Sequence, residues 1–145
     1  MTGNLINFDV DDGPVKRYQL MHEMTHVWQN QNVGPIYMAH AVFDQITLGQ
    51  EAAYNYGYDN DNTGITLANS VYDGTSRAEP IGAIIGKNGE AALNATNDFM
   101  TFGPEQQGQI MMQWFVRKVL LNQSDATVAP WQKFVTWVQT HPQVA

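Results

Sequence analysis

Residues 15–32, VKRYQLMHEMTHVWQNQN, have the spacing of a helix but not the faces of an ordinary surface helix. At about 100° per residue, Tyr18, His22, Thr25, His26 and Gln29 fall on one stripe, while Leu20, Met21, Met24, Val27 and Trp28 occupy the rest. A solvated stripe normally carries Lys and Glu, so one made of His, Thr, Tyr and Gln reads as the wall of a cleft. Pro14 stands near the first turn, and Asn32 and Gly34 are stop signals. Whatever the chain folds into must give a use to a helix face that carries two imidazoles.

His22-Glu23-Met24-Thr25-His26 fits the pattern H-E-x-x-H. Residues four apart on a helix have Cβ atoms roughly 5–6 Å apart on one face, so two imidazole nitrogens can converge on one zinc ion at about 2.0–2.1 Å. Glu23 lies about 100° round from His22. It flanks the ion instead of binding it, and is placed as the general base that takes a proton from a zinc-held water. With 4 His and 5 Glu in 145 residues, chance alone produces this motif in roughly 0.4% of chains of this composition. The bland alternative is a helix whose histidines pack and hydrogen-bond locally. The rarity of the motif and its helical setting favour Zn2+ as the cofactor.

Catalytic zinc takes a third protein ligand and leaves one position to water. Asn32 stands where the last His of the longer H-E-x-x-H-x-x-G-x-x-H pattern would be, and Gln29 where its Gly would be, which points to a Glu as third ligand. Glu51, Glu79, Glu90 and Glu105 are the later candidates, with His40 as an outsider. Glu105 is preferred because Gly103-Pro104-Glu105 opens a strongly patterned helix, where unpaired N–H groups and the macrodipole favour an ionised carboxylate. Glu51 is the runner-up. Gln109, one turn beyond Glu105, is expected to orient the ligand or a neighbouring imidazole. Tyr54, Tyr56 and Tyr58, together with Tyr18 on the histidine stripe, are candidates for an oxyanion stabiliser.

The remainder reads as mainly α, with little or no β-sheet, in a single domain spanning residues 1–145. LINFDV (5–10) has the pattern of one short strand before the DDGP turn. A second helix opens at Pro35 (IYMAHAVFDQITLG), continues into QEAAYNYGY and is expected to form a hairpin with the first. Residues 59–98, rich in Asn, Asp, Gly, Ser and Thr, form an irregular insertion, with a short strand or two at GITLANSVY and a short helix near 90–95. Its DNDNTG stretch begins like a calcium loop, but position twelve is Ser70 where such a loop needs a bidentate Glu, so it reads as a polar turn. A helix from 103 to about Leu121 should face Ile110, Met111, Trp114, Phe115 and Val119 to the core. A last helix, from Pro130 to about Thr140, should bury Trp131, Phe134, Val135 and Val138, with Trp137 most simply core as well, or, being off the main stripe, exposed for a partner.

Composition narrows the partners. The net charge is −7, and no basic cluster exceeds Lys16-Arg17, so nucleic acid has no electrostatic footprint to grip. Absence of Cys excludes thiolate catalysis and Cys-rich zinc knuckles. MTGNLINFDVDDG lacks the basic and apolar regions of a signal peptide, and no apolar run approaches a membrane span.

HEMTHVWQNQ, AAYNYGY and FGPEQQGQIMMQWF together resemble the HEMTHVWQ…YNYG…EQQA metallopeptidase domains at the C-terminus of type VI secretion spike (VgrG-type) proteins and near Rhs-type toxins, over roughly residues 18–58 and 98–116. The resemblance implies a zincin-like, gluzincin-like helical core with zinc on His22, His26 and Glu105 and Glu23 as base, hydrolysing peptide bonds of a peptide or protein substrate. It also implies a secreted antibacterial or host-directed effector acting in the target cell's periplasm or cytoplasm, carried on a larger secretion-spike polypeptide and met by an immunity protein. The chain departs from the pattern in its longer 59–97 segment and at Gly108-Gln109, where Ala and a varied polar residue are more usual. Only 21 residues precede His22, whereas zincin-like folds carry a small sheet there, so a trimmed helical version or a piece of a longer polypeptide is expected. Two other function classes fit the same motif: a non-catalytic zinc-binding interaction module and a peptidoglycan-cleaving zinc hydrolase.

Overall fold

The computed structural model describes residues 17–37, 39, 56, 70–72, 78–80 and 90–141, and these are mainly helical. The motif helix, α1, spans Arg17–Asn32. It ends where expected: the N–H groups of Val33 and Gly34 both donate to the Gln29 carbonyl, at 2.8 and 3.0 Å, and Gly34 takes a φ of +119° that side-chain-bearing residues avoid. Residues 35–37 are helical, in keeping with a second helix opening at Pro35. The rest of that helix, the hairpin it was expected to form and the strand at 5–10 lie outside the described residues.

Two short strands, β1 (Ser70–Tyr72) and β2 (Ala78–Pro80), pair antiparallel with Val71 opposite Glu79. Helix α2 (Glu90–Asn94) follows, then a 3-10 turn over Phe99–Thr101. The irregular stretch therefore contains the short strand and short helix anticipated for it.

Helix α3 (Pro104–Phe115) begins at Gly103, with Pro104 in the first turn and the Gln106 Oε1 accepting from the Gly103 N–H at 3.0 Å. It passes without a break into a π-turn, Val116–Leu120, in which the Leu121 N–H reaches the Val116 carbonyl at 2.9 Å. Five-residue bonding widens the helix, so residues beyond Phe115 leave the stripe extrapolated at α-helical spacing. Val119, expected in the core, is 46% exposed. Val116 and Arg117 are buried instead, the guanidinium 3.9 Å from the Trp131 ring centroid.

Helix α4 (Asp125–Thr140) starts five residues earlier than Pro130. Ser124 caps it, its side chain accepting from the Thr127 N–H at 3.3 Å, so the helix begins at the cap and carries Pro130 inside it. Trp131 and Phe134 are buried as expected. Trp137 is half-buried and packs on the core, the simpler of its two readings, 5.7 Å from Phe99 and stacked on His141 at 4.0 Å.

The main core joins Tyr56, Leu93, Phe99, Phe102, Ile110, Met111, Trp131 and Phe134. Its Phe99, Phe102 and Phe134 rings lie 5.5–5.6 Å apart where they meet. This packing fixes the 3-10 turn and α3 as one unit, and α1 lies along α3 with its histidine stripe turned inward.

Candidate metal centre

The buried residues of α1 are Tyr18, His22, Thr25, His26 and Gln29, the polar stripe itself, while Leu20 and Met24 are 40% and 49% exposed. The stripe is thus a helix–helix interface and not the open wall of a cleft. Burial of so many polar groups is tolerated only when they satisfy one another. Thr25 does so locally, donating to the Met21 carbonyl at 3.0 Å. The others reach across to α3.

His22 Nε2 lies 2.9 Å from Glu105 Oε2, His26 Nε2 lies 3.2 Å from the same oxygen, and the two imidazole nitrogens are 3.1 Å apart. Among the described residues these three form a group able to hold a metal ion. The geometry fits a small divalent cation. Three ligands of a tetrahedral zinc at about 2.0–2.1 Å stand about 3.3–3.4 Å from one another, and this triangle is only slightly tighter. The donor set of two imidazoles and one carboxylate is also one that zinc accepts. The rings meet edge to face at 77° with centroids 4.8 Å apart, so they converge at their Nε2 edges without stacking.

Two glutamines support this cluster. Gln29 Oε1 lies 2.8 Å from His26 Nδ1, and Gln29 Nε2 donates to the Pro104 carbonyl and to Gln107 Oε1, both at 2.9 Å. Both glutamines are fully buried. Gln29 was visible in the sequence as the residue one turn past His26 on the same stripe, but the supporting role was expected of Gln109. Among the described residues Gln109 Oε1 is buried without a hydrogen-bond partner, and no bond links Gln109 to the cluster.

Gly108 supplies the space for His22. A Cβ at this position would stand 2.6 Å from the His22 Cε1 and 2.8 Å from each ring nitrogen, so the imidazole lies directly against the α3 backbone.

Glu23 is half-buried and stands off the donor triangle. Its charge contributes to the field at His26. Tyr56 does not serve the cluster as an oxyanion donor: its hydroxyl is held in the core, accepting from Trp131 Nε1 at 2.7 Å and donating to Gln113 Oε1. Tyr18 is buried with Met112 and Val116 in a second apolar cluster. Glu90 opens α2 and is not one of the grouped ligands. His40, Glu51, Tyr54 and Tyr58 lie outside the described residues, and Glu79 is described only as a backbone position of β2.

Burial alone would raise the Glu105 carboxyl, but hydrogen bonds and charge from His22 and His26 bring it from 4.5 down to about 2. Burial likewise pulls His26 down, and the bond and charge of Glu105, the Gln29 bond and the Glu23 charge together carry it above its usual 6.5. The signs give a stability window for the metal-free protein. The lowered Glu105 contributes stability above pH 4.5 that is lost as pH falls towards 2; the raised His26 contributes stability below pH 6.5 that is lost as pH climbs through its folded value. The chelated protein should therefore owe most stability to this pair between pH 4.5 and 6.5. The thermal midpoint of wild type minus that of Glu105→Gln, followed against pH, should peak in that window; a difference still growing towards pH 9 contradicts the assignment.

No family model matches this chain, and no curated protein or solved structure does either.

Proposed function

We propose that this chain is a zinc-dependent metallopeptidase domain of zincin-like type, with His22, His26 and Glu105 as ligands and Glu23 as general base. The observation that carries the proposal is the convergence of one buried donor atom from each of the three ligands within 3.2 Å, two of them at H-E-x-x-H spacing on one helix. His22, His26 and Glu105 would hold the zinc ion, which would supply Lewis-acid chemistry by acidifying a water and polarising a peptide carbonyl. Glu23, beside the triangle and not within it, takes the proton from the attacking water and returns it to the leaving amine. Glu105, ionised over the whole physiological range, supplies the negative charge of the ligand set. Cleavage is hydrolytic, without an acyl-enzyme.

The resemblance of the HEMTHVWQ and EQQ blocks supports an effector role. In this reading the domain belongs to a larger secretion-spike polypeptide, acts on peptide or protein in a target cell's periplasm or cytoplasm, and is neutralised by an immunity protein. No described helix is long and apolar enough to cross a membrane.

Metal content tests the proposal. Purified under zinc-replete conditions, wild type should carry one zinc per chain, and His22→Ala and Glu105→Ala should lose it. Wild type without zinc, or Glu105→Ala with full occupancy, overturns the ligand set. A non-catalytic zinc module draws support from the burial of all three donors, each 5–8% exposed. It predicts stoichiometric zinc with no cleavage of unfolded protein. Release of peptidoglycan fragments without such cleavage would assign the site to a wall hydrolase.

A further inference from the structure

Helices α1, α3 and α4 leave a pocket of about 320 Å³ where they meet. Two indoles form its fixed walls. The Trp28 ring is held by Phe99 and Trp137, with centroids 6.1 and 6.3 Å away, and the Trp114 N–H donates to Gln132 Oε1 at 2.7 Å. Met21, Met24 and Met111 line the space between, with Val135 and Val138 from α4. Unbranched thioethers adjust their shape to an occupant and make favourable contacts with aromatic rings, so rigid and adaptable surfaces face one another across the pocket.

The walls define the chemistry of what fits. No lining residue is charged, so an ionised ligand would give up its hydration for nothing. The Thr25 hydroxyl is already bonded to the Met21 carbonyl and the Trp114 N–H to Gln132, while Gln139 is exposed to solvent. Volume sets the size. Apolar cavities of about 150 Å³ already take benzene, so about 320 Å³ has room for about two such rings. A protein partner would need a wider surface, since a stable interface covers roughly 800 Å² of each side. Of the large hydrophobic residues exposed among the described ones, Leu20, Met24, Ile36 and Val119, only Met24 lines the pocket. Nor is this the substrate cleft of the metal centre. Met21, Thr25 and Trp28 lie about 140–160° round α1 from Glu23 at helical spacing.

We propose that this pocket is a binding site for a free, uncharged apolar molecule about two aromatic rings in size. The site is separate from the histidine stripe, and the proposal does not depend on the metallopeptidase reading.

The test adds naphthalene to the full chain carrying methyl-labelled methionine and follows the methyl signals by NMR. Ring-current shifts should appear at Met21, Met24 and Met111 and saturate at micromolar concentrations. Met100, in contact with Gln107, and Met112, in the second apolar cluster, should not move. Naphthalene carboxylate should bind at least about 10-fold more weakly. Val138→Phe fills the pocket and should abolish the shifts. Should that variant fail to fold, Met24→Glu, at a side chain 49% exposed, brings a charge to the wall and should weaken binding at least about 10-fold. Val119→Glu removes an exposed apolar residue elsewhere and should leave binding as it was. Shifts spread over all five of these methionines, equal binding of the carboxylate, or undiminished binding in Met24→Glu overturn the proposal. So does loss of the naphthalene shifts as the chain self-associates at rising concentration, which would assign the pocket to a second copy.

Discussion

Glu23→Gln is expected to keep one zinc per chain and to lower kcat on an unfolded protein substrate by about 10²–10⁴-fold, the usual contribution of a positioned general base. The amide has nearly the shape of the carboxylate but cannot take a proton. Zinc should remain because Glu23 is not one of the three grouped donors, and the bonds linking His22, His26, Glu105 and Gln29 do not pass through it. The substitution also removes one of the charges that raise His26, so the ring gives up its proton at a lower pH than in wild type. Turnover and metal content should be read on the same sample. Loss of both would mean that the substitution disturbed the site and not the chemistry. Undiminished turnover with zinc bound would remove Glu23 from the mechanism.

The parts of this fold that were legible in the sequence are those governed by local rules. Helical spacing placed His22 and His26 on one face, and the Gly103-Pro104-Glu105 start placed Glu105 in a first turn, so local pattern named the two histidines and preferred Glu105 to Glu51. Local rules failed where neighbours in space decide. Nothing in the spacing of the α1 stripe distinguishes a cleft wall from a buried interface, because that depends on whether partners on α3 satisfy Gln29 and His26. The same blindness favoured Gln109 over Gln107. Gln109 shares a helical face with Glu105, whereas Gln107 acts through its reach to Gln29 and to the carbonyls at Phe99 and Phe102. The widened turn after Phe115 was equally invisible, since nothing in VRKVL announces it, and it reversed the burial of Val116 and Val119.

Gly108→Ala carries the sharpest test of the geometry, because two effects of opposite sign compete at one atom. In a helix interior, Gly→Ala ordinarily stabilises by about 0.5–1 kcal/mol through lost backbone freedom in the unfolded chain. Here the new methyl would stand 2.6 Å from His22 Cε1, well inside contact distance, and the ring cannot swing aside without leaving Glu105 and His26. An Ala at this position fits this imidazole only if α1 and α3 stand further apart. Zinc affinity should fall at least 10–100-fold, the range seen when a ligand loses its support, and the metal-free protein should lose stability instead of gaining it. The ring is identified as the cause by a double-mutant cycle. In a His22→Ala background the obstacle is gone, and Gly108→Ala should then show its ordinary gain of about 0.5–1 kcal/mol in chemical denaturation. Additive effects of the two substitutions would mean that His22 does not lie against the Gly108 backbone, and the donor triangle would lose the corner that this contact positions.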